Sequence, residues 1–458
     1  MSDDEADPEL LALLRKSLGI GPKTNEIGRE TNVLRDAEYI YSNAIDVAID
    51  RAGTVNAADL IWQEMQRRSY SRTAWSEHEL HPKAKDEATL NFIFTMDLLN
   101  FSFWSELPEE RRWSVQYRGK RWTGYWSLVA ALQRALDEGV PITTPGFWLP
   151  QASSDHVDES QTLDADPLDP VDAQREAVQT SSREDQDVAI ALSEAPQSTA
   201  TDAETGIEAI EPRIGAMDLA DVQANAHGVE DTQASDTKSD SNSCGHLTEE
   251  TLRHIFRGDG DEVMPLLQER LSVLRQAGQV LHDQFDGSVA SLLNRADGSA
   301  GKLVNLLSHH FECFRDEAKF DRRKVRFLKR AQIFVADVWA AFDGQDYGAF
   351  EDIDSLTMFA DYRVPQQLHS LGCVSFGPKL NYAIRARQMV PSGSDWECQL
   401  RGCSIWVVEL IRRQILAAHP EAEINAVLID FFLYDLAKER EKAGVETIPH
   451  HRTRSIWY

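Results

Sequence analysis

Between Gln151 and Asp240 the chain has no Phe, Trp or Tyr, and 22 Asp or Glu face only Arg175, Arg183, Arg213 and Lys238. With no large apolar side chains and a net charge of −18 out of the chain's −28, this stretch is expected to be a disordered acidic insertion. The remainder, net −10, lacks a basic tract that could grip a phosphate backbone, so no stable nucleic-acid complex is expected; a small anionic ligand stays open. Cysteines are few and scattered. Cys244, Cys313, Cys373, Cys398 and Cys403 form no CxxC pair, which indicates neither a disulfide framework nor a zinc site but reduced intracellular thiols. No apolar region follows the acidic start MSDDEADPEL and no apolar run approaches a membrane span, so no membrane partner is expected. The expected location is the cytosol, with the nucleus also open.

What the flanking pieces do have is helical spacing. Asn32 to about Arg68 reads as two helices joined near Gly53, and DEATLNFIFTMDLLNFSFWSE as a helix capped by Asp86 that runs into aromatic residues. WSVQYRGKRWTGYW reads as a hairpin turning at Gly119-Lys120, and SLVAALQRALDEG as a helix stopped by Gly139. After the insertion, HLTEETLRHIF, MPLLQERLSVLRQAGQVLHDQF, SAGKLVNLLSHHFECF, KVRFLKRAQIFVADVWAAF, RGCSIWVVELIRRQILAAH and INAVLIDFFLYDLAKEREK all repeat apolar residues every three or four positions. The expected fold is mainly α: a flexible N-terminus over 1–30, and one helical domain built from 31–150 and 246–458 around the insertion 151–245, with a small β-hairpin. The aromatic tail at Tyr458 is expected to dock on this core.

Three features carry chemistry. In MFADYRVPQ, Asp361 and Arg363 sit in an apolar run ending at Pro365, which places Asp361 near the end of an element, either as a capping or turn carboxylate partnered by Arg363 or as a functional acid. Asp430 interrupts an apolar run, where a carboxylate needs either a specific partner, such as an arginine, or a cavity. At 100° per residue Phe431 and Asp435 share a helix face, and Asp430 and Asp435 lie about 140° apart, so the three can flank one pocket unless Asp435 is merely surface. Finally, Arg322 to Arg330 is the one basic cluster, readable as a solvated helix face or as a seat for a phosphate monoester.

DEATLNFIFTMDLLNFSFWSE, YRGKRWTGYWSL, RALDEGVPIT, KRAQIFVADVW, MFADYRVPQ, RGCSIWVVELIR and the DFFLYD helix together resemble the eukaryotic queuosine salvage protein family, in the same order and over essentially all of 30–150 and 246–458. The resemblance implies an N-glycosylase that hydrolyses queuosine 5′-phosphate and releases queuine for tRNA, on a helical fold similar to helix-hairpin-helix DNA glycosylases, with no cofactor or metal. It also implies base-binding roles for His78, Phe359, Asp361, Asp430, Phe431 and Asp435, with Asp361 the catalytic carboxylate. Phe431 departs from the tyrosine expected there, which removes a hydroxyl contact and keeps the stacking. A phosphate clamp is expected from Arg323, Lys324, Lys329 and Arg330. The alternatives are a carrier that binds queuine or a modified nucleoside without turnover, and a glycosylase acting on nucleic acid.

Overall fold

The computed structural model describes residues 27–72, 74–150 and 246–458; the acidic insertion and the start of the chain lie outside these. Described residues before 150 and after 246 belong to one packed unit. It is mainly α-helical, and its strands form three two-stranded antiparallel pairs. Among the described residues no helix is long and apolar enough to cross a membrane.

The helix Glu87–Leu98 lies at the centre. It is mostly apolar and buries Leu90, Phe92, Ile93, Phe94 and Met96 together with Thr89, Thr95 and Asp97, which suits an enclosed helix. Asp86 caps its start by accepting the Thr89 N–H at 2.9 Å. At its other end the free carbonyls are met by two fully buried arginines, Arg330 donating to Asp97 O and Leu98 O, and Arg270 to Leu99 O and Phe101 O. The helix packs against Lys329–Ala341, while Asp395–Ala418 packs on Val33–Asn43 and Arg51–Arg67.

Several expectations are corrected. Gly53 joins no helices: the break falls at the strand Val47–Ile49, and Gly53 lies within Arg51–Arg67, where a Cβ would come within 2.0 Å of Gly372 O. That strand pairs with Val374–Phe376, a contact invisible to local pattern. The first hairpin, Ser114–Tyr117 with Lys120–Thr123, turns one residue earlier than expected, at Arg118 and Gly119, both with positive φ. Residues 27–30 are tied down, since Asn305 donates to Gly28 O and Glu30 O and the lack of a Cβ at Gly301 lets Arg29 O approach.

The basic cluster does not share a helix face. Glu317–Phe320 and Arg323–Arg326 form a second hairpin and the helix begins only at Lys329, so strand alternation and the turn scatter the charges. Pro365, too, ends nothing. It occupies the first turn of Arg363–Ser370, where its missing N–H costs no hydrogen bond, so Asp361 precedes a helix instead of closing one.

Candidate active site

Helices, the loops between them and the returning C-terminal tail enclose a cavity of about 780 Å³. The segment Phe359–Arg363 forms one side. Asp361 Oδ1 accepts the N–H groups of Arg363 at 2.7 Å and Val364 at 3.0 Å, so the carboxylate is oriented by the helix it introduces. Its Oδ2 has no hydrogen bond among the described residues and the side chain lines the cavity. The capping reading of this aspartate holds for one oxygen, and the side chain also faces the cavity.

The helix Ala426–Lys442, capped by Asn425, supplies the opposing side. Asp430 accepts the Phe359 N–H at 3.1 Å, which ties the two walls together, and among the described residues no arginine pairs with it. Burial first, then the charge of Asp361, push the Asp430 carboxyl well above the usual carboxylate range, against the pull of the Phe359 N–H and Lys329. Asp435 accepts from the Tyr70 hydroxyl at 2.7 Å, and burial raises it as well. Phe431 lines the cavity 6.2 Å from Phe359, the rings tilted by 55°.

A third wall comes from Lys329–Ala341, where Lys329, Ile333 and Asp337 line the cavity at intervals of four residues. Burial lowers the Lys329 ammonium while Asp361 and Asp430 raise it, so this cation sits in the field of both acids. His78 closes the site, stacked on Trp126 with ring centroids 3.3 Å apart. Burial holds its imidazole below the ordinary value, and Nδ1 accepts the Leu80 N–H at 3.3 Å. The ring is thus neutral with its proton on Nε2, a donor free to meet an acceptor on a ligand.

Beneath the site lies a sealed ion network. Arg401, fully buried, donates Nε to Ala360 O at 2.9 Å, pairs with Asp316 at 3.0 and 2.5 Å, and reaches Glu397 at 3.2 Å. Asp316 also accepts the Lys329 N–H at 3.1 Å. One ion pair therefore fixes both the peptide preceding Asp361 and the start of the Lys329 helix. Tyr458 joins it by donating to Glu397 at 2.9 Å, which docks the tail on the core.

All six residues singled out for base recognition, His78, Phe359, Asp361, Asp430, Phe431 and Asp435, line this one cavity. Of the expected phosphate clamp only Lys329 does. Arg323 is held by Asp36 at 2.7 Å and lies over the Tyr39 ring, Lys324 pairs with Glu317, and Arg330 is consumed by backbone carbonyls. Sequence reasoning missed Tyr70, Asp337, Trp126 and His450, which line the same cavity. Only Asp337 left a trace, in its spacing from Lys329.

The arrangement is an aromatic wall with acids at one end and a partly unbonded carboxylate beside it, suited to a flat base rich in hydrogen-bond donors. Comparison with protein families matches the queuosine salvage protein description over residues 80–180 and 227–458. Among curated proteins, the chain is 34% identical over 442 residues to one from Schizosaccharomyces pombe, covering 93% of this chain and 100% of that one. A mouse protein is 32% identical over 433 residues, with 92% and 97% covered, and one from Sphaerobacter thermophilus is 30% identical over 431 residues, with 94% and 99% covered. Each of the three is named queuosine 5′-phosphate N-glycosylase/hydrolase.

Proposed function

The chain belongs to the queuosine salvage protein family, and from that membership we propose that it hydrolyses the N-glycosidic bond of queuosine 5′-phosphate to queuine and ribose 5-phosphate. The base lies against the aromatic wall that Phe359 and Phe431 form together, where a flat ring can stack on an exposed face. Asp430 and Asp435 take the donors of its guanine-like edge and its side-chain amine, and His78 Nε2–H meets an acceptor. We take the scaffold to be similar to that of helix-hairpin-helix glycosylases, a reading supported by its mainly α-helical make-up.

As the C1′–N bond breaks, its electron pair leaves with the base and positive charge develops at C1′. Asp361 Oδ2 faces that carbon and stabilises it. Water then adds its hydroxyl to C1′, and its proton ends on the base nitrogen. Queuine has carbon where a purine has N7, so protonation there cannot assist departure, and the reaction leans on C1′ stabilisation and on hydrogen bonds to the base. Lys329, in the field of Asp361 and Asp430, offsets part of the repulsion between the two acids.

The observation that carries this reading is the half-anchored Asp361, one oxygen on two backbone N–H groups and the other unbonded in a cavity shared with Asp430 and Phe359. The test is to incubate the protein with queuosine, its 5′- and 3′-monophosphates and intact tRNA, and to assay free queuine. Release from the 5′-monophosphate is expected. Binding of queuine without release from any of the four would make the protein a carrier, and release from tRNA with steep salt dependence would make it a nucleic-acid glycosylase.

A further inference from the structure

Charge is divided within the cavity. Asp430, Asp435, Asp337 and Lys329 line the part where the base is placed, whereas Arg363, Arg452 and Arg112 line the cavity around His450, with Glu441 beside Arg363 as a carboxylate on that side. The three guanidiniums are close enough to His450 that, after burial, their fields help push its imidazole down to about 4. His450 Nδ1 lies 2.8 Å from His451 O and so carries the proton, which leaves Nε2 as an acceptor.

What separates these arginines from Arg401 and Arg270 is unused capacity. Arg401 and Arg270 direct Nε and both Nη groups to carbonyls and carboxylates. Arg452, its side chain only 16% exposed, has its nearest carboxylate oxygen on Glu106 at 3.8 Å, beyond hydrogen-bonding distance. Arg363, 25% exposed, reaches Glu441 at no better than 3.5 Å. Arg112 gives Nε to Leu107 O at 2.7 Å, and its two Nη groups have no partner among the described residues. Arg452 and Arg363 are partly buried and Arg112 is exposed at the cavity rim, and guanidinium forks of this kind match the oxygens of a phosphate monoester, which they hold bidentately.

Position agrees. Arg363 follows Asp361 by two residues and opens the helix that Asp361 introduces, so the arginine wall begins beside the carboxylate. A nucleotide with its base among the acids and C1′ at Asp361 would span one ribose to reach it. We propose that Arg363, Arg452 and Arg112 form the seat of the substrate's 5′-phosphate, replacing the Arg323–Arg330 cluster in that role, with His450 Nε2 accepting from a ribose hydroxyl. This rests on the glycosylase reading above.

The test compares queuosine 5′-phosphate with queuosine in the full-length protein and in Arg452→Gln and Arg112→Gln. The ratio of kcat/KM for phosphate over nucleoside is expected to fall about tenfold to a hundredfold in each variant, the scale of a lost charge-assisted hydrogen bond. Because both rates come from one preparation, the ratio cancels any loss of folded protein. In parallel, the inhibition constant of ribose 5-phosphate should rise by a similar factor while that of queuine stays put. An unchanged ratio with an unchanged ribose 5-phosphate constant overturns the phosphate seat. Failure of the wild type to release queuine from either substrate removes the glycosylase reading instead.

Discussion

Two polar regions lie against each other in this protein, and they handle their hydrogen bonds in opposite ways. In the network under the cavity, Arg401, Asp316, Glu397 and Tyr458 are all buried and mutually bonded. In the cavity, among the described residues, Asp361 Oδ2 and the guanidinium of Arg452 are incompletely partnered, and Asp430 is held by a single backbone N–H. Saturated groups fix a shape. Groups left half-bonded in a partly buried place cost stability in the free protein, and their return comes when a ligand completes them. Substitutions on the two sides should therefore fail differently.

The sharpest break is Asp361→Asn. Asparagine caps a helix as well as aspartate, so the fold and the orientation of residue 361 should persist while the charge facing C1′ disappears. Removing one preorganised electrostatic group typically costs about 10²–10³ in kcat, and a carboxylate opposite a cationic carbon belongs at the upper end or beyond. Single-turnover release of queuine should fall by at least about a thousandfold with queuine affinity retained in calorimetry. A variant that stays active would remove Asp361 from the chemistry.

Next comes Arg401→Met, on the saturated side. It leaves Asp316 and Glu397 buried without their cation, a loss of about 3–5 kcal/mol. In a domain of this size that lowers Tm by on the order of 10 °C. Here the melting curve should move first and activity follow through displacement of Ala360 and Lys329, the reverse of Asp361→Asn. If Tm held while kcat collapsed, Arg401 would have to be counted with the cavity and not with its foundation.

Much of the saturated scaffold could be read from the chain, because helices advertise themselves locally: Asp86, Thr248 and Asn425 cap the helices that periodicity indicates. The site was legible where its residues break a local rule, as Asp430 does inside an apolar run. What stayed hidden depends on residues far apart in sequence. Arg401 meets Asp316 across 85 positions and Tyr70 meets Asp435 across 365, and no periodicity links them. The phosphate reading failed for the same reason: adjacent charges in sequence suggested a cluster that the hairpin at Arg323–Arg326 takes apart, while the arginines that converge on His450 come from three separate segments.

A milder prediction sets the two sides against each other in one residue. Asp430→Asn keeps an oxygen to accept the Phe359 N–H but removes a desolvated acid. Since the folded protein holds this proton more tightly than the unfolded chain, Asp430 contributes stability below the unfolded carboxylate pKa and loses it as pH rises through the raised folded value. The asparagine variant should melt higher than wild type at neutral pH, by the equivalent of about 1 kcal/mol, and lower its queuine affinity about tenfold or more. The wild type should also bind queuine more tightly as pH rises toward the folded pKa of Asp430, because the ionised form is the better acceptor, and this dependence should vanish in the variant. Melting curves and calorimetry across pH check both statements.

The smallest effect belongs to Phe431→Tyr. The ring is half-buried at the cavity wall and inclined to Phe359, so a para hydroxyl would be added to an edge that already touches the base site. Stacking area is unchanged, and the gain is one hydrogen bond to the ligand, worth about 0.5–1.5 kcal/mol if its partner is well placed. KM for queuosine 5′-phosphate should fall by about twofold to tenfold with kcat unaltered, since the contact is the same in ground and transition states. A rise in KM would mean the hydroxyl is buried unsatisfied, and that this chain has reshaped the site around a phenyl ring instead of simply forgoing a contact.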